Sequence, residues 1–209
     1  GLGNANKLDI LLLNGAECEP YLTCDDRLMR EHAAEIVDGA RIMAYALGAP
    51  QVVIAIESNK PQALEVMRKV AESTPNVRVA AVPVQYPMGA ERHRAVHHAV
   101  RFGRPLVERV VTVSGGGVKE PKNILVPLGT PVAELLAFCG GANPRTKRLI
   151  SGGPMMGQPI PDAAVPVVKG TSGILALLPE EVNERPTQPC IRCGTCVSIC
   201  PCGLVPVEM

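Results

Sequence analysis

Three apolar runs separated by two helical patterns occupy the first 84 residues and leave few folds open. Leu8–Leu13 is a continuous apolar run closed by Asn14-Gly15, as a strand buried on both faces reads. Ala33, Ile36, Val37, Ala40, Met43, Ala44 and Leu47 recur at three- and four-residue spacing, which predicts an amphipathic helix stopped by Gly48 and Pro50. Gln51–Glu57 (QVVIAIE) is a second buried strand, and Ser58-Asn59 is expected to cap the next helix, with Pro61 in its first turn. Val77–Val84 is a third strand. This strand–helix–strand–helix–strand order predicts an α/β parallel sheet with helices on its faces. Ligands of such sheets bind beyond the carboxyl ends of the strands.

The texture changes after about Arg104. Val107–Ser114 alternates and is β-branched, and Gly115-Gly116-Gly117 follows it. Short strands are expected near Asn123–Pro127, Arg148–Ser151 and Gly173–Leu178, with a short helix at Pro131–Phe138. With Gly and Pro interrupting throughout, this predicts a small α+β domain with a twisted, mostly β core. Glu180–Pro189 is a polar, Pro-bearing linker. A chain of 209 residues that is 46% hydrophobic can build such a core. No window reaches the roughly 18 apolar residues of a membrane span, and Gly1–Lys7 shows no signal-peptide pattern. A net charge of +1, no Trp, three Tyr and two Phe argue against nucleic-acid binding.

Five of the eight cysteines, Cys190, Cys193, Cys196, Cys200 and Cys202, fall inside thirteen residues. A disulfide scaffold scatters its cysteines, so this clustering points to metal or cluster ligation in a reducing compartment. Cys190 to Pro201 reads C-x2-C-x2-C-x3-C-P, the bacterial ferredoxin run for a [4Fe–4S] cluster. Two-residue gaps wrap three thiolates around one cubane, and Gly194 permits the tight turn. Structural zinc usually joins two C-x2-C pairs across a longer spacer, which this spacing does not match. Cys200 either completes this cluster or, as in two-cluster ferredoxins, serves a second one. Cys202 falls off the ligand spacing, while Cys18, Cys24 and Cys139 are isolated and read as packing residues.

Asn14-Gly-Ala-Glu17-Cys-Glu19-Pro follows the first strand, where the sheet should open its crevice. Two carboxylates two residues apart beside an Asn could bind ribityl or ribose hydroxyls. The bland alternative is a solvated turn feeding a helix whose first turn carries Asp25 and Asp26, which the helix dipole favours. Gly1-Leu2-Gly3 could begin a glycine-rich dinucleotide loop, though G-x-G alone is weak. His97-His98 reads as helix surface.

NGAECEPYLTCDDRLM, GGPMMG and PCIRCGTCVSICPCGLVP together resemble the C subunit of the Rnf electron-transport complex, a membrane-bound, ion-translocating NAD–ferredoxin oxidoreductase of bacteria. That family is related to the flavin-bearing, NADH-oxidising subunit of respiratory complex I. The resemblance implies a Rossmann-like flavin and NADH domain over residues 1–104. It also implies a β-grasp-like domain over 105–179 and an α-helical iron–sulfur segment over 180–209. The family's G-x-G-G loop falls on Gly1 and Gly3, and its N-x-x-E-x-E-P segment on Asn14, Glu17, Glu19 and Pro20. Its Y-P-x-G-x-E segment falls on Tyr86, Pro87, Gly89 and Glu91, and its cluster ligands on Cys190, Cys193, Cys196 and Cys200. In the complex I relative, the matching Asn and acidic residues hold FMN and help place the nicotinamide nucleotide. Set against the family's pattern, segments are expected to be missing near 3–4 and 91–95, and the resemblance implies that the family's N-terminal barrel-like domain and second cysteine run lie outside these 209 residues.

The function so implied is electron transfer among NADH, FMN and [4Fe–4S] clusters, two of them in the intact family subunit. Implied partners are the rest of the Rnf complex, including its ferredoxin-like B subunit and its membrane subunits. Through these the chain would sit peripherally on the cytoplasmic side of the cell inner membrane. The alternative is a non-catalytic iron–sulfur relay and docking subunit with a degenerate nucleotide-binding domain. No acid/base or nucleophilic triad is visible or required.

Overall fold

Strands β1 (Ile10–Asn14), β2 (Gln51–Glu57) and β3 (Val77–Val82) form a three-stranded sheet in the order β1-β2-β3, parallel throughout. The structure is a computed structural model that describes residues 8–84, 93–184, 186, 188–200 and 204–205. Helices α1 (Cys24–Glu31), α2 (Ala33–Leu47) and α3 (Pro61–Glu72) belong to this first unit. Leu13, Val52, Ile54 and Ile56 form one apolar cluster with Met29 of α1, Ile36, Val37 and Ala40 of α2, and Leu64 and Met67 of α3. Each large side chain so buried contributes about 1.5–3 kcal/mol relative to leaving it in water.

Strand side chains alternate between faces, so Leu12, Asn14, Val53, Ala55 and Glu57 point the other way. Leu12 is 62% exposed there. All three helices therefore cover one face of the sheet, which corrects the expectation of helices on both. The fourth helix, α4 (His93–Phe102), packs along α2 instead of covering the second face.

The helix boundaries follow local chemistry. Gly48 ends α2 at φ 68°, and its N–H donates to the carbonyls of Ala44 and Tyr45. This is the left-handed C-terminal stop that glycine adopts without a Cβ clash. The N-cap of α3 is Lys60 and carries no side-chain cap, so Ser58-Asn59 does not cap the helix as expected. Pro61 at the first helical position supplies the start, with its φ already helical.

His97 and His98 do not form a free helix surface. His97 Nδ1 lies 2.8 Å from Asp38 Oδ2, and His98 Nε2 lies 2.8 Å from Glu35 Oε2. Arg101 donates to both oxygens of Asp38, at 2.8 and 2.6 Å, and His32 Nδ1 lies 3.0 Å from the other oxygen of Glu35. A ladder of acid–base pairs thus joins α4 to α2. Hydrogen bonding by Arg101, then by His97, holds the Asp38 carboxyl below its ordinary range against the opposing effect of burial.

The second unit is a mixed five-stranded sheet in the order β5-β4-β8-β6-β7. Its strands are β4 (Glu108–Ser114), β5 (Lys122–Pro127), β6 (Arg148–Ser151), β7 (Gln158–Ile160) and β8 (Gly173–Leu177). The central pair β4 and β8 is parallel, and the other pairings are antiparallel. Val132, Leu135 and Leu136 of α5 (Val132–Phe138) close one face over Val111, Val113, Ile174 and Ala176. On the other face Ile150, Leu175 and Leu177 pack with Leu22, which comes from the acidic loop of the first unit. Strand β7 is missing from the sequence expectation because its three residues, Gln-Pro-Ile, carry no alternation.

The expected linker begins with a 3₁₀ turn at Pro179–Glu181, and α6 (Thr195–Ile199) is a single turn in the cysteine segment. Among the described residues no helix is long and apolar enough to cross a membrane.

Candidate functional site

The loop from Asn14 to Thr23 leaves the carboxyl end of β1 and ties the two units together. Asn14 Oδ1 accepts the Ala16 N–H at 3.0 Å, which turns the chain sharply at the strand end. Glu17 then folds inward. Its carboxylate accepts the backbone N–H groups of Asp25 and Asp26, at 2.8 and 3.4 Å, and pairs with Lys60 Nζ at 3.2 Å. The N-cap residue of α1, Thr23, makes no side-chain cap. Glu17 therefore satisfies the first amides of α1 from outside the helix, where a negative charge also meets the favourable end of its dipole.

Glu19 reaches in the opposite direction, into the Gly-Gly-Pro-Met-Met-Gly turn of the second unit. Its two oxygens accept the backbone N–H groups of Met155 at 3.1 Å and Met156 at 2.8 Å. Gly153 makes that approach possible, since a Cβ there would lie 2.4 Å from Glu19 Cδ. Further along, Ser114 Oγ donates to the Tyr21 carbonyl, the Thr23 N–H donates to Thr112 Oγ1, and Cys24 Sγ donates to the Ser172 carbonyl. Tyr21 Oη donates to Glu181, which also accepts the N–H groups of Gly116 and Leu178. Glu181 thus anchors the supposed linker to the seam.

A cavity of about 610 Å³ opens between the units, lined by Asn14, Cys18 and Glu19 on one side and by Gly152, Gly153 and Met156 on the other. This volume lies within the range of cofactor sites. Cys18, half-buried, faces this space, which corrects its reading as a packing residue; Cys24 and Cys139 are buried as expected. A second cavity of about 510 Å³, lined by Leu28, His98, Arg104 and Arg109, contains none of the sequence-predicted binding residues.

Of those predicted residues, the structure brings Asn14 and Glu19 to one cavity and turns Glu17 away from it. Gly1, Gly3, Tyr86, Pro87, Gly89, Glu91 and Cys202 lie outside the described residues. Sequence reasoning missed Glu57, which ends β2, is fully buried, and has no hydrogen-bond partner among the described residues on either carboxylate oxygen. A charged residue closing an otherwise apolar strand is the signal that could have found it.

Glu17, Cys24 and Asp25 offer ligand-type atoms within 4.8 Å of one another, all buried. The set does not fit a cation. The Glu17 carboxylate is already held by Lys60 and two amides, and burial first, then Asp25 and Glu17, push the Cys24 thiol up and keep it protonated.

The cysteine segment has a different character. Cys190, Cys193 and Cys196 are exposed and Cys200 is half-buried. The Arg192 N–H points at Cys190 Sγ and the Leu204 N–H at Cys200 Sγ, each at 3.4 Å, and Gly194 takes φ 75°. A hydrogen bond with Thr195 holds the Cys193 thiol below its ordinary value, toward the thiolate that ligates metal. Exposed thiols with amide donors aimed at sulfur are suited to ligating a metal or a cluster.

The Nuo51 FMN-binding domain model matches residues 2–105, and the SLBB domain model matches residues 110–159. The chain is 52% identical over 232 residues to the C subunit of the ion-translocating oxidoreductase complex of Rhodobacter capsulatus, covering 97% of this chain and 45% of that protein. It is 41% identical over 229 residues to the C subunit of the proton-translocating ferredoxin:NAD(+) oxidoreductase complex of Clostridium ljungdahlii, covering 96% of this chain and 50% of that protein. The chain thus spans about half the length of these curated relatives. The match to the first relative is longer than the 209 residues of this chain, so some positions of that relative have no counterpart here. Among solved structures, an NAD+-reducing [NiFe]-hydrogenase in the H2-reduced state matches with TM-score 0.64 and 17% identity, over 83% of this chain and 41% of that one. At that identity the likeness speaks for the fold alone.

Proposed function

Because the chain belongs to the family of the C subunit of ion-translocating oxidoreductase complexes, we propose that it is the part of that subunit where NADH, FMN and iron–sulfur centres meet. The carrying observation is the cavity at the carboxyl end of β1, lined on one side by Asn14 and Glu19, which belong to the segment matched by the FMN-binding domain, and on the other by the second unit. FMN, when bound, supplies the exchange between two-electron and one-electron chemistry. The chain's own residues do the rest. Asn14 orients polar groups at the cavity mouth, the Gly152–Gly153 backbone allows close approach, and the seam between the units excludes water from one side.

We assign residues 1–104 to a Rossmann-like domain, 105–179 to a β-grasp-like domain and 180–209 to a ferredoxin-type segment. Support for the second comes from its strand order, in which the first and last strands are the parallel central pair and one helix crosses over. Cys190, Cys193, Cys196 and Cys200 are the proposed ligands of a [4Fe–4S] cluster, and Asn14, Glu19, Gly89 and Glu91, with Gly1 and Gly3, the proposed flavin and nucleotide contacts, while Glu17, turned away from the cavity, is assigned to holding the start of α1. Electrons would pass to the ferredoxin-like and membrane subunits of the complex, with this chain held to the cytoplasmic face of the inner membrane by those partners.

Iron, sulfide and flavin analysis of the anaerobically purified subunit tests this reading. Bound FMN, acid-labile sulfide and broad absorption near 400 nm are expected. A colourless, zinc-containing or flavin-free protein overturns it. One observation favours a second reading, a relay and docking subunit without flavin: the Glu17 and Glu19 carboxylates already have internal partners. That reading predicts iron and sulfide without any response to FMN titration.

A further inference from the structure

We propose that Glu57 is a ligand-positioning residue, whose carboxylate accepts hydrogen bonds from the hydroxyls of a cofactor's ribityl or ribose chain. This rests on the flavin and nucleotide reading above. Glu57 is 0% exposed, and among the described residues neither of its oxygens has a hydrogen-bond partner. The ammonium nearest along the chain, Lys60, is engaged by Glu17. In either protonation state a buried carboxyl keeps hydrogen-bonding capacity that water no longer satisfies, a cost of one to several kcal/mol in general. Such a group persists when something outside the bare fold uses it.

Its position says what that is. Glu57 is the last residue of the central strand, at the carboxyl end where parallel sheets bind ligands. Alternation puts it on the face away from the helices, together with Asn14, which pairs in register with Ala55 two residues earlier. Asn14 lines the cavity between the units. An acidic side chain at the end of the second strand of a βαβ unit is suited to sugar hydroxyls, because its two oxygens match the two donors of neighbouring hydroxyls. Glu57 itself does not line the cavity, so its side chain must rotate toward the hydroxyls as they bind.

The test compares the wild-type subunit with Glu57→Gln and Glu57→Leu by titration with FMN, riboflavin, lumiflavin (which has no ribityl chain) and NADH, and by thermal unfolding without ligand. The expected result is an affinity loss of roughly tenfold or more for FMN and riboflavin with lumiflavin unchanged, or the same loss for NADH with the flavins unchanged. The first identifies the ribityl chain, the second the ribose. Glu57→Leu should leave the ligand-free fold as stable as wild type or more so, since it removes a buried group without a partner. Equal losses for every ligand, no loss for any, or a destabilised ligand-free Leu variant would overturn the proposal. Wild-type protein that binds neither flavin nor NADH removes the reading beneath it, an outcome seen before any variant is compared.

Discussion

Glu17 answers two needs at once, since the first amides of α1 lack a cap of their own and the Lys60 ammonium is largely buried. Breaking a buried pair from one side leaves the other charge without compensation, which typically costs about 3–5 kcal/mol. Lys60 keeps 17% of its side-chain surface in water, so the lower part of that range applies. Glu17→Gln keeps the shape and one acceptor while removing the charge. Its expected effect is a loss of about 2–3 kcal/mol in urea unfolding, with flavin binding by the folded fraction unchanged because the side chain faces away from the cavity. A wild-type midpoint would show that the pair contributes nothing. The spacing of Glu17 and Glu19 was visible in the sequence, but their opposite directions were not. Two residues apart in a loop has no fixed meaning, whereas two apart in a strand would have put both on one face.

Elements with strong periodicity were legible to the residue: β2, β6 and α2 run where the apolar pattern puts them. The α2 stop follows from Gly48, whose φ of 68° disfavours any side chain even though space is open around it. Gly48→Ala should therefore cost about 1 kcal/mol, read as a lowered midpoint with unchanged denaturant slope. What periodicity could not give was the partner of α4, because charge ladders between helices depend on which helices become neighbours. That ladder has a pH signature. Arg101, then His97, lower the Asp38 carboxyl below its ordinary 3.8. A carboxyl depressed in the fold adds stability that is fully present above its unfolded value and is lost as pH falls through the lower, folded one. Acidification below about pH 4 should thus loosen α4 from α2, seen as faster amide exchange in α4. Asp38→Asn should show that faster exchange already at neutral pH, with no further change from this site on acidification. An acid response in α4 that survives Asp38→Asn would assign it to other groups.

At the scale of the molecule, the loop from Glu19 to Cys24 does what the main apolar cluster of each unit does not, since each of those clusters closes within its own unit and, among the described residues of the clusters, Leu22 is the one that joins the units. Among the described residues, a set of polar contacts and Leu22 hold the two units against each other and bound the cavity between them. Glu19 on Met155 and Met156 is, with Tyr21 on Glu181, a contact of the set made to a charged group, and hydrogen bonds to a charged group are worth about 1.5–3 kcal/mol. Gly153 tests the same contact from the other side, because a methyl there must push the Glu19 carboxylate off the turn. Glu19→Ala and Gly153→Ala should each lower stability by about 1.5–3 kcal/mol, and the double variant should lose little more than either alone. Non-additivity of that kind marks residues acting through one contact. Losses that simply add would mean that Gly153 matters to the turn for its own sake and that the clamp across the cavity is not a unit. Should the clamp fail as a unit, unfolding by calorimetry should also split from one transition toward two, with the parallel-sheet and mixed-sheet units melting independently.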